Sequence, residues 1–507
     1  MTRTFNWKIL FRTLGALLII EALFMALPTG IAFFYDEYDK GAFVCSTAIT
    51  FIAGLIGLCA GHRSPKKVSE REGYLIVALV WIVFSFFGLL PFYLSGAITS
   101  YTDAFFETMS GFSTTGATIL RDIESLSHGC LFWRSLMQWI GGMGIIVLSI
   151  AILPMFGLGG MQLYAAEATG LSYEKLSPRI ADTAKHLWGT YIIITAMETL
   201  LLWLFHMDIF DAVCHSFSTI ATGGFSTKNA SLAYYASPAI QYTVACFTLL
   251  AGINFALIIY LFRRKPQRLL RDEETHWYLG AVALCTIVLT AGLYLQNYTA
   301  VGAGFASDTA QVAGTAQTVF AGIEDSFRKA FFEVVCTMTS CGFAIDDYMQ
   351  WRPFMWCIVF FLMFTGACAG STAGGVKWIR IAIFFKNAFA ECKRRIYPNA
   401  IIPAKINGKP VPQGNMTNVM AFFMFYILLI VLGMLAFCAL GVNFDEAFGA
   451  AVSAIGNIGP AIGQYGPAGT YADFPLVGKW IFSFLMLIGR LELFTVILLF
   501  SPTLWRK

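Results

Sequence analysis

Apolar segments close to the length of a membrane span recur along the whole chain, and they constrain its fold more than any other feature. Examples occupy residues 75–94, 191–205 with their flanks, 241–262 and 420–440. A helix needs about 20 apolar residues to cross the hydrocarbon core of a bilayer. Because 57% of all residues are hydrophobic and only 13% are charged, we predict an all-α polytopic membrane protein.

Lysine and arginine are concentrated in clusters that separate the apolar segments. These clusters lie at residues 3–12, 63–71, 175–185, 263–271, 377–409 and 506–507. Cytoplasmic loops of membrane proteins are enriched in Lys and Arg, so we expect every cluster and both chain termini to face the cytoplasm. Each segment between two clusters must then leave the cytoplasm and return to it.

The first of these segments is a simple hairpin, and the other four are longer. Residues 10–34 and 42–60 are joined by an acidic turn at 35–39. Each later segment holds an apolar span, a stretch rich in Gly, Ser and Thr, and a second span. The predicted units are an N-terminal transmembrane hairpin at 1–66 and four repeats at 67–170, 171–270, 271–410 and 411–507.

The four later segments share a pattern in their external stretches. Each has a charged residue followed by Ala and an apolar residue, and a glycine stands thirteen positions after the charge. The charged residues are Asp103, Asp211, Lys329 and Glu446, and the glycines are Gly116, Gly224, Gly342 and Gly459. Roughly 10 residues of helix span about 15 Å, half of a bilayer core. We therefore predict four pseudo-symmetric helix, re-entrant loop, helix units around one axis.

Loops at that depth are stable only where they are buried in protein or line a watery cavity. Four loops around an axis meet this condition, and their carbonyl oxygens can replace the water around a cation. Glycine accepts the positive φ that turns a carbonyl toward the axis, and the residue two positions earlier is expected to hold the loop by side-chain hydrogen bonds. The predicted ion-binding residues are Thr114, Thr115, Gly116, Thr222, Gly223, Gly224, Ser340, Cys341, Gly342, Asn457, Ile458 and Gly459.

Three motifs resemble a known family. They are STTGA at 113–117, ATGGF at 221–225 and GRLE at 489–492, which look like those of the TrkH and KtrB potassium transporters. The N-terminal hairpin and the chain length favour the TrkH branch, and the four glycines resemble the potassium-selective rather than the sodium-selective members of the wider superfamily. The resemblance implies a homodimer in the bacterial inner membrane, gated by a cytosolic nucleotide-binding ring protein that resembles TrkA.

Two interruptions of the apolar spans are candidate gating elements. Arg490 lies within the apolar segment 480–500, where a cation usually faces a cavity or a partner. The resemblance places it in the pore below the loops, and a buried ion pair is the alternative. Glycines at 366–375 should break their span, and the resemblance implies that this stretch forms an intramembrane loop that blocks the pore. The alternative for these glycines is close packing between helices. For the glycines at 141–144 we favour this packing role. The gating glycines are Gly366, Gly370, Gly374 and Gly375.

The sequence thus predicts channel-like uptake of K⁺, with the ion as cargo and without a cofactor. The 12 cysteines form no CxxC pair, and no phosphate loop or set of nucleophile and base is present, so we expect no enzyme. Membrane lipid is an expected partner and nucleic acid is not. The alternative function is a proton- or sodium-coupled symporter that uses Glu198 or Glu492.

Overall fold

A computed structural model describes residues 6–62, 70–144, 180–304, 316–491 and 493–505 of the chain. Within these ranges the structure is mainly helical, and its β-strands form one antiparallel pair, Lys405–Ile406 with Lys409–Pro410. The predicted all-α class is confirmed. The predicted unit boundaries at 66 and 170 lie outside the described residues, and the division of the chain into units stays a prediction.

The described residues contain twenty α-helices, which we number in chain order. Those in the first half are α1 (Trp7–Phe34), α2 (Lys40–Ala60), α3 (Glu70–Gly88), α4 (Leu90–Leu94), α5 (Tyr101–Phe112), α6 (His128–Gly142), α7 (Ile180–Leu204), α8 (Ile209–Ile220), α9 (Pro238–Ala251), α10 (Phe255–Phe262) and α11 (Gln267–Leu270). The second half contains α12 (Glu273–Gly304), α13 (Ala316–Met338), α14 (Pro353–Met363), α15 (Trp378–Ile396), α16 (Gln413–Ala439), α17 (Phe444–Gly456), α18 (Leu476–Leu491), α19 (Leu493–Phe500) and α20 (Pro502–Trp505). Single 3₁₀ turns lie at Ser231–Tyr234, Tyr348–Gln350 and Gly463–Tyr465.

Six helical stretches of the described chain are long and apolar enough to cross a bilayer. They are Trp7–Phe34, Lys40–Ala60, Arg71–Leu94, Ala184–Leu204, Glu273–Gln296 and Gln413–Ala439. In five of these six, less than half of the apolar window is buried, as expected for helices that face lipid; the exception is Arg71–Leu94, at 61%. The chain therefore has the architecture of a multi-pass membrane protein.

Two apolar runs that the sequence predicts as single spans are broken. Helices α9 and α10, within the run 241–262, meet at 106°, and α18 and α19, within the run 480–500, meet at 116°. At the first break there is no room for a side chain at Gly252, because a Cβ there would lie 2.5 Å from the Tyr278 hydroxyl. Asn254 then starts α10, since its Oδ1 accepts the Ala256 N–H at 2.8 Å. Hydropathy alone could not show these bends, because each run as a whole is apolar enough to be a single span, even with Arg490 in the second.

The helices at the four predicted re-entrant positions are α5, α8, α13 and α17, and we call all four the short helices, although α13 is longer than predicted. Three of them have 12 or 13 residues, about 18–20 Å of helix, so they are too short to cross the membrane. The third differs from the prediction, because α13 begins at Ala316 and has 23 residues. Lys329 consequently lies inside that helix rather than in its first turn, and it forms ion pairs with Asp325 at 3.5 Å and Asp346 at 3.3 Å.

Each of these four helices packs between two other helices of its own segment. The flanking pairs are α3 and α6, α7 and α9, α12 and α14, and α16 and α18. In addition, the second element of each pair contacts the short helix of the next segment: α6 touches α8, α9 touches α13, α14 touches α17, and α18 touches α5. The order of these contacts closes on itself, so the C-terminal ends of the four helices are brought to one place.

The N-terminal hairpin packs tightly and is tied to α6. A Cβ on Gly15 of α1 would lie 2.6 Å from the Leu58 nitrogen of α2, so the two helices touch backbone to backbone. The acidic turn between them accepts hydrogen bonds from the start of α6: the Glu37 carboxylate takes the His128 N–H at 2.7 Å and the Gly129 N–H at 3.1 Å. These N–H groups have no partner within their own helix, so Glu37 caps it.

Candidate functional site

The four short helices end with the same backbone turn. The residue two positions before each glycine has a left-handed backbone, with φ of 55°, 53°, 51° and 52° at Thr114, Thr222, Ser340 and Asn457. The next N–H donates to the carbonyl five residues earlier, at 2.9, 2.8, 2.8 and 3.0 Å in the four loops. This is the Schellman motif, in which glycine usually takes the left-handed position. Residues other than glycine there cost about 1–2 kcal/mol each, so the surrounding structure must hold them in place.

Side chains at these left-handed positions differ in what they bind. Ser340 Oγ donates to the Thr339 carbonyl at 2.7 Å, and Thr222 Oγ1 donates to the Ala221 carbonyl at 2.6 Å. Asn457 Nδ2 reaches further, to Thr115 Oγ1 at 3.0 Å and the Met486 carbonyl at 2.9 Å. Thr114 Oγ1 has no hydrogen-bond partner among the described residues. The predicted side-chain hydrogen bonds thus form at three of the four turns, with different partners, and the prediction is wrong for Thr114.

The four glycines form a closed ring, which we call the glycine ring. Their φ values are +82°, +76°, +80° and +99°. A Cβ on Gly116 would lie 2.2 Å from the Gly223 oxygen, and one on Gly224 would lie 2.0 Å from the Cys341 oxygen. A Cβ on Gly342 or Gly459 would likewise lie 2.2 Å from the Ile458 oxygen or 2.6 Å from the Thr115 oxygen. A carbonyl oxygen of the next loop therefore packs against each glycine. The twelve predicted ion-binding residues are brought together in this way.

A buried ion pair that we did not predict from the sequence contacts the residues that follow two of the ring glycines. Arg134 Nε donates to Glu107 Oε1 at 2.9 Å, and the side chains are 1% and 0% exposed. Glu107 also accepts the Ile119 N–H at 3.0 Å, and Arg134 donates to the Ser226 carbonyl at 3.1 Å. The pair thus joins the segment that follows Gly116 to the segment that follows Gly224. A signal was present in the sequence, since Glu107 and Arg134 have mainly apolar neighbours along the chain.

We expect Glu107→Ala to lower the unfolding temperature of the purified protein by several degrees. Removing one partner of a buried ion pair costs about 3–5 kcal/mol, because the other charge is left unpaired. The measurement is the temperature at which the monodisperse peak is lost in size-exclusion chromatography. The matched control is Asp473→Ala, which breaks the exposed pair with Arg121 and should change little. Equal unfolding temperatures for the two variants would contradict the supporting role of the pair.

The span of the third segment is interrupted, as predicted, between α14 and α15. The intervening residues 364–377, which we call the intramembrane loop, pack directly against the ends of the short helices. The Gly374 N–H donates to Ser340 Oγ at 2.6 Å, and a Cβ on Gly374 would lie 2.6 Å from the Gly456 carbonyl. Thr372 Oγ1 donates to the Ile220 carbonyl at 3.0 Å. The intramembrane loop is therefore fitted against three of the four loop-bearing segments.

The other predicted glycines shape the intramembrane loop itself. Gly366 brings its two legs together, since a Cβ there would lie 2.4 Å from both the Gly374 and the Val376 carbonyls. Gly370 and Gly375 have φ of +77° and +64°, which favours glycine. At the base, Glu274 Oε1 of α12 accepts the Ala369 N–H at 2.6 Å and the Ile379 N–H at 3.0 Å. Glu274 thus ties the loop to the first turn of α15, a role that the sequence did not reveal.

Arg490 connects the intramembrane loop to the end of α6. Its guanidinium donates to the Thr372 carbonyl at 2.9 Å and to the carbonyls of Gly141 and Gly142 at 2.5 and 2.9 Å. Since Thr372 also touches the end of α8, Arg490 lies on the same side of the glycine ring as the loop. Glu492 is outside the described residues, and for Arg490 the pore position and the ion pair with a carboxylate of another helix both stay predictions.

The glycines at 141–144 make the close contacts that favour a packing role. A Cβ on Gly141 would lie 1.8 Å from the Phe112 carbonyl, and one on Gly142 would lie 2.7 Å from the Ala221 Cα. The end of α6 therefore fits between the last residues of α5 and α8. Helix α6 also stops at Gly142, which exposes the two carbonyls that Arg490 binds.

Known proteins resemble this chain over its whole length. A family model for TrkH, described as a cation transport protein, matches residues 40–507. The Trk system potassium uptake protein TrkH of Salmonella typhimurium is 39% identical over 505 residues, which cover 99% of this chain and 100% of that protein. The protein of the same name from Halomonas elongata is 39% identical and is covered to 99%, as is this chain. The crystal structure of the potassium transporter TrkH from Vibrio parahaemolyticus superimposes with a TM-score of 0.85 at 35% identity, over 99% of this chain and 100% of that one.

Proposed function

This chain belongs to the TrkH family of cation transport proteins, and from that premise we propose that it takes up potassium ions through a channel-like pore whose selectivity filter is the glycine ring. The observation that carries this proposal is the closed order of contacts between the four loops. Each glycine abuts a carbonyl oxygen of the next loop, so peptide oxygens from all four segments surround one point. Such oxygens can replace the hydration shell of a cation.

The charge distribution around the ring supports a cation rather than an anion. The helices α5, α8, α13 and α17 all end directly before it, and the C-terminal end of a helix carries a partial negative charge. The potassium ion itself is inferred from the relatives, which are named potassium uptake proteins. The ion is the cargo, and the proposal includes no cofactor and no enzymatic activity.

We assign the gate to the intramembrane loop and Arg490. The loop is fitted against the ends of three short helices by the contacts of Gly374 and Thr372, and Arg490 holds it through the Thr372 carbonyl. An ion that leaves the ring on this side would meet a backbone segment and a positive charge. Opening would require these hydrogen bonds to break, and the arrangement described here corresponds to a closed gate.

Several further proposals follow from the family rather than from geometry. They are a homodimer in the bacterial inner membrane, cytoplasmic chain termini and a cytosolic nucleotide-binding regulator that resembles TrkA. A regulator on the cytoplasmic side could pull on α15, whose last turn carries Lys393, Arg394 and Arg395. Because α15 begins directly after the intramembrane loop, such a pull would act on the gate.

The second candidate function is coupled symport, which Glu198 favours. This carboxylate is 0% exposed on α7, a helix that packs against α8. Buried ionisable groups in membrane spans are common in proton and ion relays. Glu492, the other predicted coupling residue, lies outside the described residues.

Reversal potentials in proteoliposomes test the proposal and separate the two functions. For a selective pore, we expect the reversal potential to follow the potassium gradient and to stay constant when a proton or sodium gradient is added. A shift with pH or sodium would support symport. Equal permeability to K⁺ and Na⁺ would contradict the assignment of the glycine ring as a potassium filter.

A further inference from the structure

The second loop is the only one of the four without a side chain directly before its ring glycine. Thr115, Cys341 and Ile458 occupy this position in the other loops, and Gly223 occupies it in the second. Backbone conformation does not demand glycine there, because Gly223 is not among the residues with positive φ. The reason must therefore be the space that a side chain would need.

That space is filled by Gln138 of α6. A Cβ on Gly223 would lie 2.4 Å from Gln138 Cδ, 2.6 Å from its Oε1 and 2.8 Å from its Nε2. These distances are shorter than real Cβ contacts allow, and the Gln138 side chain is itself 0% exposed. The amide of Gln138 thus stands where the second loop would otherwise carry its own side chain.

The Gln138 amide binds the two peptide groups on either side of Gly224. Its Nε2 donates to the Gly223 carbonyl at 2.7 Å, and its Oε1 accepts the Phe225 N–H at 3.1 Å. A carbonyl can only accept and a peptide N–H can only donate, so this pair of bonds needs a group that offers one donor and one acceptor. A primary amide is the side-chain group that meets both needs side by side.

We propose that Gln138 is a positioning residue that determines the selectivity of the glycine ring. It fixes the Gly223 carbonyl, which is the oxygen that packs against Gly116, and so it sets the junction between the first and second loops. This inference rests on the proposed function, since it assigns Gln138 a part in the filter. Hydrogen bonding from Gln138 also draws electron density from the Gly223 oxygen, which makes this quarter of the ring different from the others.

The first test compares Gln138→Leu and Gln138→Glu in proteoliposomes, with the K⁺ to Na⁺ permeability ratio as the readout. Leucine removes both hydrogen bonds, and a glutamate carboxylate keeps the acceptor but turns a second oxygen toward the Gly223 carbonyl. We expect the ratio to fall by about tenfold in each variant, the effect of leaving one or two buried peptide groups unpaired. A wild-type ratio in both variants would overturn the proposal.

The second test is a double-mutant cycle that exploits the missing side chain. Gly223→Ala alone should lower the ratio, because its Cβ meets the Gln138 amide. In the Gln138→Ala background the space is free, so the same substitution should have little further effect. Effects that simply multiply in the double variant would show that the two residues act independently, which would overturn the steric part of the proposal.

The control is Gln241→Ala, which removes another buried glutamine amide from α9. Gln241 Nε2 donates to the Tyr235 carbonyl at 2.8 Å, outside the glycine ring, and the ratio should stay at its wild-type value. A comparison with Gly116→Ser separates the two levels of inference. If Gly116→Ser changes the ratio and the Gln138 variants do not, only the role of Gln138 fails; if none of them changes it, the filter assignment fails as well.

Discussion

Replacing Gly116 by serine should lower the preference for K⁺ over Na⁺ by about tenfold or more, since each 1.4 kcal/mol is worth a factor of ten. Two effects act together at this position. The φ of +82° is strained for any side chain, which costs about 1–3 kcal/mol. The new Cβ would also lie 2.2 Å from the Gly223 oxygen, so the ring must open locally. The measurement is the reversal potential with K⁺ on one side of the proteoliposome membrane and Na⁺ on the other.

Gly96→Ser is the matched control for this prediction. Gly96 has a φ of +77°, close to that of Gly116, and a Cβ there meets nothing within 4 Å. The control therefore carries similar backbone strain without touching the glycine ring, and its permeability ratio should equal that of the wild type. An unchanged ratio in a folded Gly116→Ser protein would remove Gly116 from the filter.

Replacing Arg490 by alanine should raise potassium flux by about tenfold, because hydrogen bonds to a charged group contribute about 1.5–3 kcal/mol each. The change removes the contacts to Thr372 and to the end of α6, so the intramembrane loop loses a restraint on its closed position. It also removes a positive charge from the path of the ion. Flux is measured as the rate of rubidium uptake into proteoliposomes loaded with potassium.

Two further variants separate the contributions of Arg490. Arg490→Lys keeps the charge but loses the fork of donors that holds several carbonyls at once, so an intermediate flux would show that the loop contacts matter. Arg268→Ala, at an arginine that stacks on Tyr260 far from Thr372 in the chain, should leave flux unchanged. Loss of folded protein in Arg490→Ala without any gain in flux would favour a buried ion pair over a gate.

The glycine ring could be predicted from sequence because four copies of one pattern are compared at the same offset. A single loop would have looked like an ordinary turn, and the repeated charge and glycine positions excluded that interpretation. The left-handed residues before the glycines could not be predicted in the same way. Asparagine, as at Asn457, is sometimes found in that conformation, but Thr114, Thr222 and Ser340 are not the usual choice, and packing against other segments holds them there.

The features that the sequence did not reveal depend on contacts between segments. The bend at Gly252 and the early start of α13 leave the apolar pattern unchanged, so hydropathy does not register them. Gln138 is a lone amide among mainly apolar residues, and Glu274 stands in the charged run 271–274, so several interpretations are equally reasonable for each. Their roles emerge only when the peptide groups of Gly223 and Ala369 are placed beside them.

Interlocking of the four loops has a consequence for how such a protein can be rebuilt. Every ring glycine leaves room for a backbone carbonyl oxygen of a neighbouring loop. The fit of one segment in the ring therefore depends on the sequence of the segment beside it. A chimaera that takes a single segment from a relative would have mismatched contacts with both neighbouring loops. If two adjacent segments are exchanged together, the contact between their loops is kept. A pair of adjacent segments, rather than a single loop, is therefore the natural unit for engineering and for divergence between gene copies.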